Sequence, residues 1–190
     1  MNVISVYDKV LSESQAETLY THFANCKEWS FGHKSINNTM TASIPHWSIY
    51  YHMEDLEEGT PRDKVTFENP NIQALFESLY ENGMIPQTAR LLRCYANGHT
   101  YGIDGKIHYD DKRPNTITVI YYPMRHWSVD WGGETIFWDR EKREIIKSVI
   151  PKNNRLVVFP AAHWHGVRPM SRYAETTLRV TLMFKFIIPI

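Results

Sequence analysis

Residues 177–187, TLRVTLMFKFI, alternate in character with a period of two. Arg179, Thr181, Met183 and Lys185 fall on one side, and Val180, Leu182, Phe184 and Phe186 on the other. Successive side chains of an extended chain point to opposite faces, so this stretch predicts a β-strand with one wholly apolar face. That face must pack against a second hydrophobic layer. The mixed face suits the mouth of a barrel, where a polar ligand could sit.

Working back along the chain, similar short apolar or alternating runs predict strands at 88–96, 106–110, 115–122, 134–138, 143–150 and 154–159. Turn-prone Asn97-Gly98, Asp104-Gly105, Gly132-Gly133 and Lys152-Asn153-Asn154 separate them. Two helices precede the strands. In the first, Ser12 can cap and Gln15 can return the bond, with Leu19, Tyr20 and Phe23 at helical spacing as far as Cys26. In the second, Asn69 caps, Pro70 occupies the first turn, and Ile72, Leu75, Phe76 and Leu79 share a side as far as Tyr80. Residues 28–68 read as strands and loops. Many short strands after two helices predict a β-sandwich or jelly roll with the helices packed on one sheet.

The 190 residues suit a single domain, 1–190, with a core at 88–187 and a supporting, substrate-facing part at 1–87. The 21 basic and 21 acidic side chains balance. Such a chain has no global field to attract nucleic acid or an anionic membrane. No apolar run approaches the ~18 residues of a membrane span. Cys26 and Cys94 are too few for a disulfide framework, and the N-terminus lacks the features of an export signal, so the expected location is the cytoplasm.

The chemistry is concentrated in His108-Tyr109-Asp110 and in His165-Gly166-Val167-Arg168-Pro169. On a strand, His108 and Asp110 share a face and can reach one metal, while Asp111 points away. Two imidazoles and one carboxylate leave one side of a metal open, the arrangement of non-haem iron(II) oxygenases. A lone His-x-Asp is common by chance; the ordered set around it is not. It comprises Cys94-Tyr95 with Tyr101-Gly102, Ile120-Tyr121-Tyr122 with Trp127, Gly132-Gly133, Phe159-Pro160, His165-x-Val167-x-Pro169 and Arg179. With that set, residues 88–187 resemble the 2-oxoglutarate, Fe(II)-dependent dioxygenases, and within them the prolyl hydroxylase branch.

The resemblance implies a double-stranded β-helix (jelly roll), mainly β with flanking α. It implies Fe(II) held by His108, Asp110 and His165, with 2-oxoglutarate and O2 as cosubstrates and ascorbate as a further candidate cofactor. His165 rather than His163 takes the ligand position, because it directly precedes Gly-Val-x-Pro. His163 is then a hydrogen-bond partner or a mouth residue, and His99 and His126 are expected to be exposed in loops. The far carboxylate of 2-oxoglutarate needs a buried, forked cation. Arg179, on the inward face of the last strand, is the choice; Arg172, in a loop-like segment, is the rival. Tyr95 would place its hydroxyl against 2-oxoglutarate.

The reaction so implied is hydroxylation of a C–H bond coupled to oxidation of 2-oxoglutarate to succinate and carbon dioxide. The substrate would be a peptidyl proline, met by residues 28–68 and the loop 97–106. The alternatives are a free amino acid or other small metabolite, a nucleic-acid base of the kind AlkB-type demethylases act on, a metal-bound cupin lacking 2-oxoglutarate, or no catalysis at all, in a β-barrel binding module. Against the AlkB type, Lys185 and Thr181 replace that group's second arginine and its asparagine, and the net charge is neutral.

Overall fold

The computed structural model describes residues 3–34, 44–53, 57–103, 105–174 and 177–190. Helix α1 (Glu13–Asn25) opens with the expected reciprocal cap between Ser12 and Gln15. Helix α2 (Pro70–Glu81) starts on Asn69, whose side chain accepts from the backbone N–H groups of Asn71 and Ile72. Both caps satisfy donors that the first helical turn leaves unpaired.

Among the described residues, ten strands follow the chain in order: β1 (Ser5–Asp8), β2 (Ser30–His33), β3 (His46–Met53), β4 (Arg90–His99), β5 (Thr116–Tyr122), β6 (Thr135–Trp138), β7 (Ile145–Val149), β8 (Arg155–Pro160), β9 (His165–Val167) and β10 (Arg179–Ile187). Seven form one sheet in the order β1-β8-β5-β10-β4-β3-β2; the other three form a second sheet, β7-β6-β9. Every pairing is antiparallel. This is the expected mainly β jelly roll with two helices.

Strand β10, central in the large sheet, is buried along its whole length. Its apolar face packs under α2: the Phe76 ring lies 6.3 Å from Phe184 and 6.2 Å from Phe186, and Phe67 lies 6.1 Å from Phe184. Its mixed face, Arg179, Thr181, Met183 and Lys185, lines a cavity of about 270 Å³ between the two sheets. One strand thus secures the core and builds the site.

Two expectations need correction. Residues 106–110 form no strand; only His108 makes a bridge, giving and receiving 2.8 Å backbone hydrogen bonds with His165. Asn97-Gly98 is not a turn, because β4 runs through it to His99 as the partner of both β3 and β10. The expected substrate loop therefore begins later, and the turn expected at Asp104-Gly105 includes Asp104, which lies outside the described residues. Strands β1 and β9 are too short to show a period in the sequence.

Candidate active site

Histidine 165 opens β9, and its backbone holds the irregular segment carrying His108. The close approach needs Gly166: a Cβ there would lie 3.0 Å from the Gly105 carbonyl oxygen. Asp110 is fixed by its own backbone N–H, which donates to Ala161 at 2.8 Å. The ligand-type atoms of His108, Asp110 and His165 consequently lie within 4.8 Å of one another. Nε2 of each histidine stands 3.6 Å from a different oxygen of the Asp110 carboxylate. Asp111 turns away to Arg113, as close as 2.6 Å.

The histidine tautomers follow from their other nitrogen. His108 Nδ1 donates to the Lys106 carbonyl at 2.7 Å, and His165 Nδ1 donates to the His163 carbonyl at 2.9 Å. A carbonyl can only accept, so Nδ1 carries a proton in each ring and Nε2 is the atom that faces the carboxylate. Burial, joined by His108 and Lys185, lowers the His165 pKa to about 4, although Asp110 opposes the shift. The ring is neutral at physiological pH. His163 contributes its backbone carbonyl to this arrangement.

Burial alone would raise the Asp110 pKa, but Lys185 holds it well below the usual carboxylate range. Lys185 Nζ donates to Oδ1 at 2.6 Å and Thr118 Oγ1 donates to Oδ2 at 2.7 Å. The carboxylate is therefore ionised and oriented. Two imidazole Nε2 atoms and one fixed carboxylate suit a divalent transition metal.

Arg179 is fully buried in the same cavity. Its Nε donates to the Gly133 carbonyl at 2.6 Å and its Nη2 to Thr135 Oγ1 at 2.9 Å, while Nη1 has no partner. Burial lowers its pKa, with Tyr122 and Glu134 opposing. The guanidinium lies over the Tyr122 ring at 5.5 Å, and the Tyr122 hydroxyl hydrogen-bonds Thr135 Oγ1 at 2.6 Å. A buried cation with an unused donor suits the far carboxylate of 2-oxoglutarate. Arg172 is exposed, with its guanidinium 5.7 Å above the Tyr173 ring.

Comparison with known proteins fits this geometry. Residues 91–184 match the family model of the 2OG-Fe(II) oxygenase superfamily. The chain belongs to this superfamily. It is a dioxygenase whose family implies Fe(II), 2-oxoglutarate and O2. No curated protein sequence matches it.

Among solved structures, the Pseudomonas putida prolyl-4-hydroxylase is 15% identical, with a TM-score of 0.65 over 100% of this chain and 94% of that one. A prolyl hydroxylase from Trichoplax adhaerens, in complex with a hypoxia inducible factor oxygen degradation domain peptide fragment, is 14% identical. Its TM-score is 0.63, over 99% of this chain and 84% of that one. HygX from Streptomyces hygroscopicus, with nickel and 2-oxoglutarate bound, is 12% identical, with a TM-score of 0.61 over 97% and 82% of the two chains. At these identities the likeness is one of fold.

The structure adds residues around the candidate site for which the sequence gives little or no signal. Thr118 and Thr135 sit on strands that read simply as buried β, and the Ile120-Tyr121-Tyr122 patch gives no sign that Tyr122 meets Arg179. Lys185 is legible as part of a mixed face, but its bond to Asp110 is not. The expectation for His99 is corrected: it is buried, lines the cavity and stacks on His46 at 4.5 Å between ring centroids. It ends an interior strand, where inward-facing positions are covered by the second sheet. His126 is exposed, as expected.

Proposed function

We propose that this dioxygenase hydroxylates a peptidyl proline, with His108, Asp110 and His165 holding Fe(II) and Arg179 anchoring 2-oxoglutarate. The observation that carries the reading is one cavity with two chemically distinct halves. A His-Asp-His cluster with its ligand atoms converging lies in one half, and a buried guanidinium with an unused donor in the other. The preference for proline is supported by the fold shared with the Pseudomonas and Trichoplax prolyl hydroxylases.

When bound, Fe(II) with 2-oxoglutarate and O2 supplies the oxidising power for C–H hydroxylation. The chain's residues supply geometry. The Lys106 and His163 carbonyls hold the imidazoles with Nε2 toward the carboxylate, and Thr118 and Lys185 hold the two Asp110 oxygens. Gly133 and Thr135 orient the guanidinium, leaving Nη1 free to donate to a carboxylate. Tyr95, buried beside Lys185, contributes a neutral hydroxyl to the same wall, its pKa raised by burial. Enclosure of this chemistry limits access of bulk water to a reactive centre.

The test uses purified protein with Fe(II). Anaerobic 2-oxoglutarate should produce a weak visible metal-to-ligand absorption, and admitting O2 should yield succinate. Alanine at His108 or His165 should abolish both signals. A prolyl peptide should then gain 16 mass units, roughly one oxygen atom, only with the complete mixture. Absence of both absorption and succinate in the wild type would overturn the metal and cosubstrate assignments. Mass gain on free amino acids, but on no prolyl peptide, would replace the peptide reading with the metabolite one.

A further inference from the structure

We infer that Arg93 forms an anion-recognition subsite for the oxidised substrate, which therefore carries a carboxylate near the carbon that reacts. The inference rests on the proposed oxygenase site and specifies its substrate. Arg93 and Lys185 stand directly opposite each other on the paired strands β4 and β10, and both line the cavity. Like charges placed opposite across two strands repel, so the pair needs anions to offset it. Lys185 has one: Asp110, at 2.6 Å. The neighbouring carboxylate, Asp111, is taken by Arg113.

Arg93 is left with neither. It makes no ion pair among the described residues, and its Nε is buried without a hydrogen-bond partner. The described cavity lining holds four cationic side chains, Lys34, Arg93, Arg179 and Lys185, against the single carboxylate of Asp110. A divalent metal would add positive charge. One 2-oxoglutarate, with two carboxylates, does not balance the set.

The remaining polar groups on this wall do not restore the balance. His99 is kept neutral by burial, helped by Arg179, and His33 is lowered by burial to about 4. Neither supplies negative charge. A forked guanidinium with vacant donors binds a carboxylate through two charge-assisted hydrogen bonds, which sets orientation as well as affinity. The carboxylate could belong to an acidic residue beside the target proline, or to the α-carboxylate of a free imino acid.

Two probe pairs separate these sources: prolyl peptides differing only in Asp or Asn beside the proline, and L-proline against prolinamide. Binding is measured with Mn(II) and 2-oxoglutarate in place, and turnover with Fe(II) and O2. The wild type should prefer the carboxylate member of one pair, and which pair identifies the source. Arg93→Gln should weaken binding and raise KM for that member roughly 10- to 100-fold. It should change kcat little and leave the amide member unaffected.

Arg93→Glu should reverse the preference toward a Lys-bearing peptide if the carboxylate is a side chain. Succinate formation without substrate should persist in Arg93→Gln, which shows that the metal and 2-oxoglutarate sites are intact. No carboxylate preference in the wild type, or an equal effect of Arg93→Gln on both members, would overturn the subsite. Loss of succinate formation from the wild type would instead refute the oxygenase site on which it rests.

Discussion

Lys185 Nζ lies 2.6 Å from Asp110 Oδ1, joining the end of the central strand to the carboxylate of the candidate metal centre across 75 residues of sequence. Burial lowers the Lys185 pKa, but Asp110 more than offsets this and the net shift is upward; the Asp110 pKa moves down. Both shifts favour the charged pair. The lysine thus provides the counter-charge that keeps a buried carboxylate ionised before any metal arrives.

Removing that counter-charge should expose its role. Lys185→Met leaves Asp110 buried and unpaired, a change that costs about 3–5 kcal/mol. For a domain of this size the melting temperature of the metal-free protein should fall by roughly 6–20 °C. Saturating Mn(II) should narrow the gap from wild type, because the metal supplies the missing charge. Thermal denaturation with and without Mn(II) checks this; an unchanged gap would show that Lys185 acts through packing alone.

The two arginines proposed for 2-oxoglutarate should behave very differently. Arg179→Met removes charge-assisted hydrogen bonds to the cosubstrate and should weaken its binding on the order of 100-fold, with metal affinity changed far less. Arg172→Ala, at an exposed position, should change neither. Calorimetric titration of 2-oxoglutarate into the Mn(II) protein separates the cases, and a larger effect at Arg172 would reverse the assignment.

Gly133 should be as intolerant as the arginine it holds. Its φ of +74° is left-handed, and an added Cβ would come within 2.9 Å of Trp127 and 3.2 Å of Arg179 Cδ. Gly133→Ala should therefore cost roughly 1–2 kcal/mol in backbone strain alone. It should also weaken 2-oxoglutarate binding by displacing the guanidinium. Denaturant unfolding and cosubstrate titration on the same variant would show whether the effects travel together; a stable variant with normal binding would contradict the contact.

Stability should fall as the solution is acidified. Burial depresses the pKa of His46 and His99, and that of His33 to about 4, whereas the unfolded chain titrates near 6.5. Between those values the unfolded state binds more protons, so the stabilising contribution is complete above about pH 6.5 and is lost as pH falls toward 4. Replacing His99 with Gln should flatten the profile by up to about 1.4 kcal/mol per pH unit in that window. Melting curves from pH 7.5 to 4.5 measure the slope, and identical slopes would remove His99 from the account.

Much of the frame was legible because it depends on local rules. The 3.6 and 2.0 periods locate α1, α2 and β10, and the Ser12 and Asn69 caps fix the helix starts. His108 and Asp110 could be paired from residue type and spacing, the resemblance to the oxygenases added His165, and the structure brings their ligand atoms together. The means differed from expectation. The strand geometry assumed for His108 and Asp110 is absent, and backbone hydrogen bonds to His165 and Ala161 aim the two side chains instead.

The sequence by itself determined which residues alternate and which caps start the helices, since both depend on near neighbours along the chain, and its resemblance to the oxygenases singled out the three candidate ligands. Tertiary structure alone decided that Lys185 meets Asp110, that Tyr122 and Thr135 meet Arg179, and that Arg93 stands opposite Lys185 without an acid of its own. Those pairings depend on strand register and on closure of two sheets around one cavity. A shift of one residue in register would turn each side chain to the other face, and no local pattern encodes that choice.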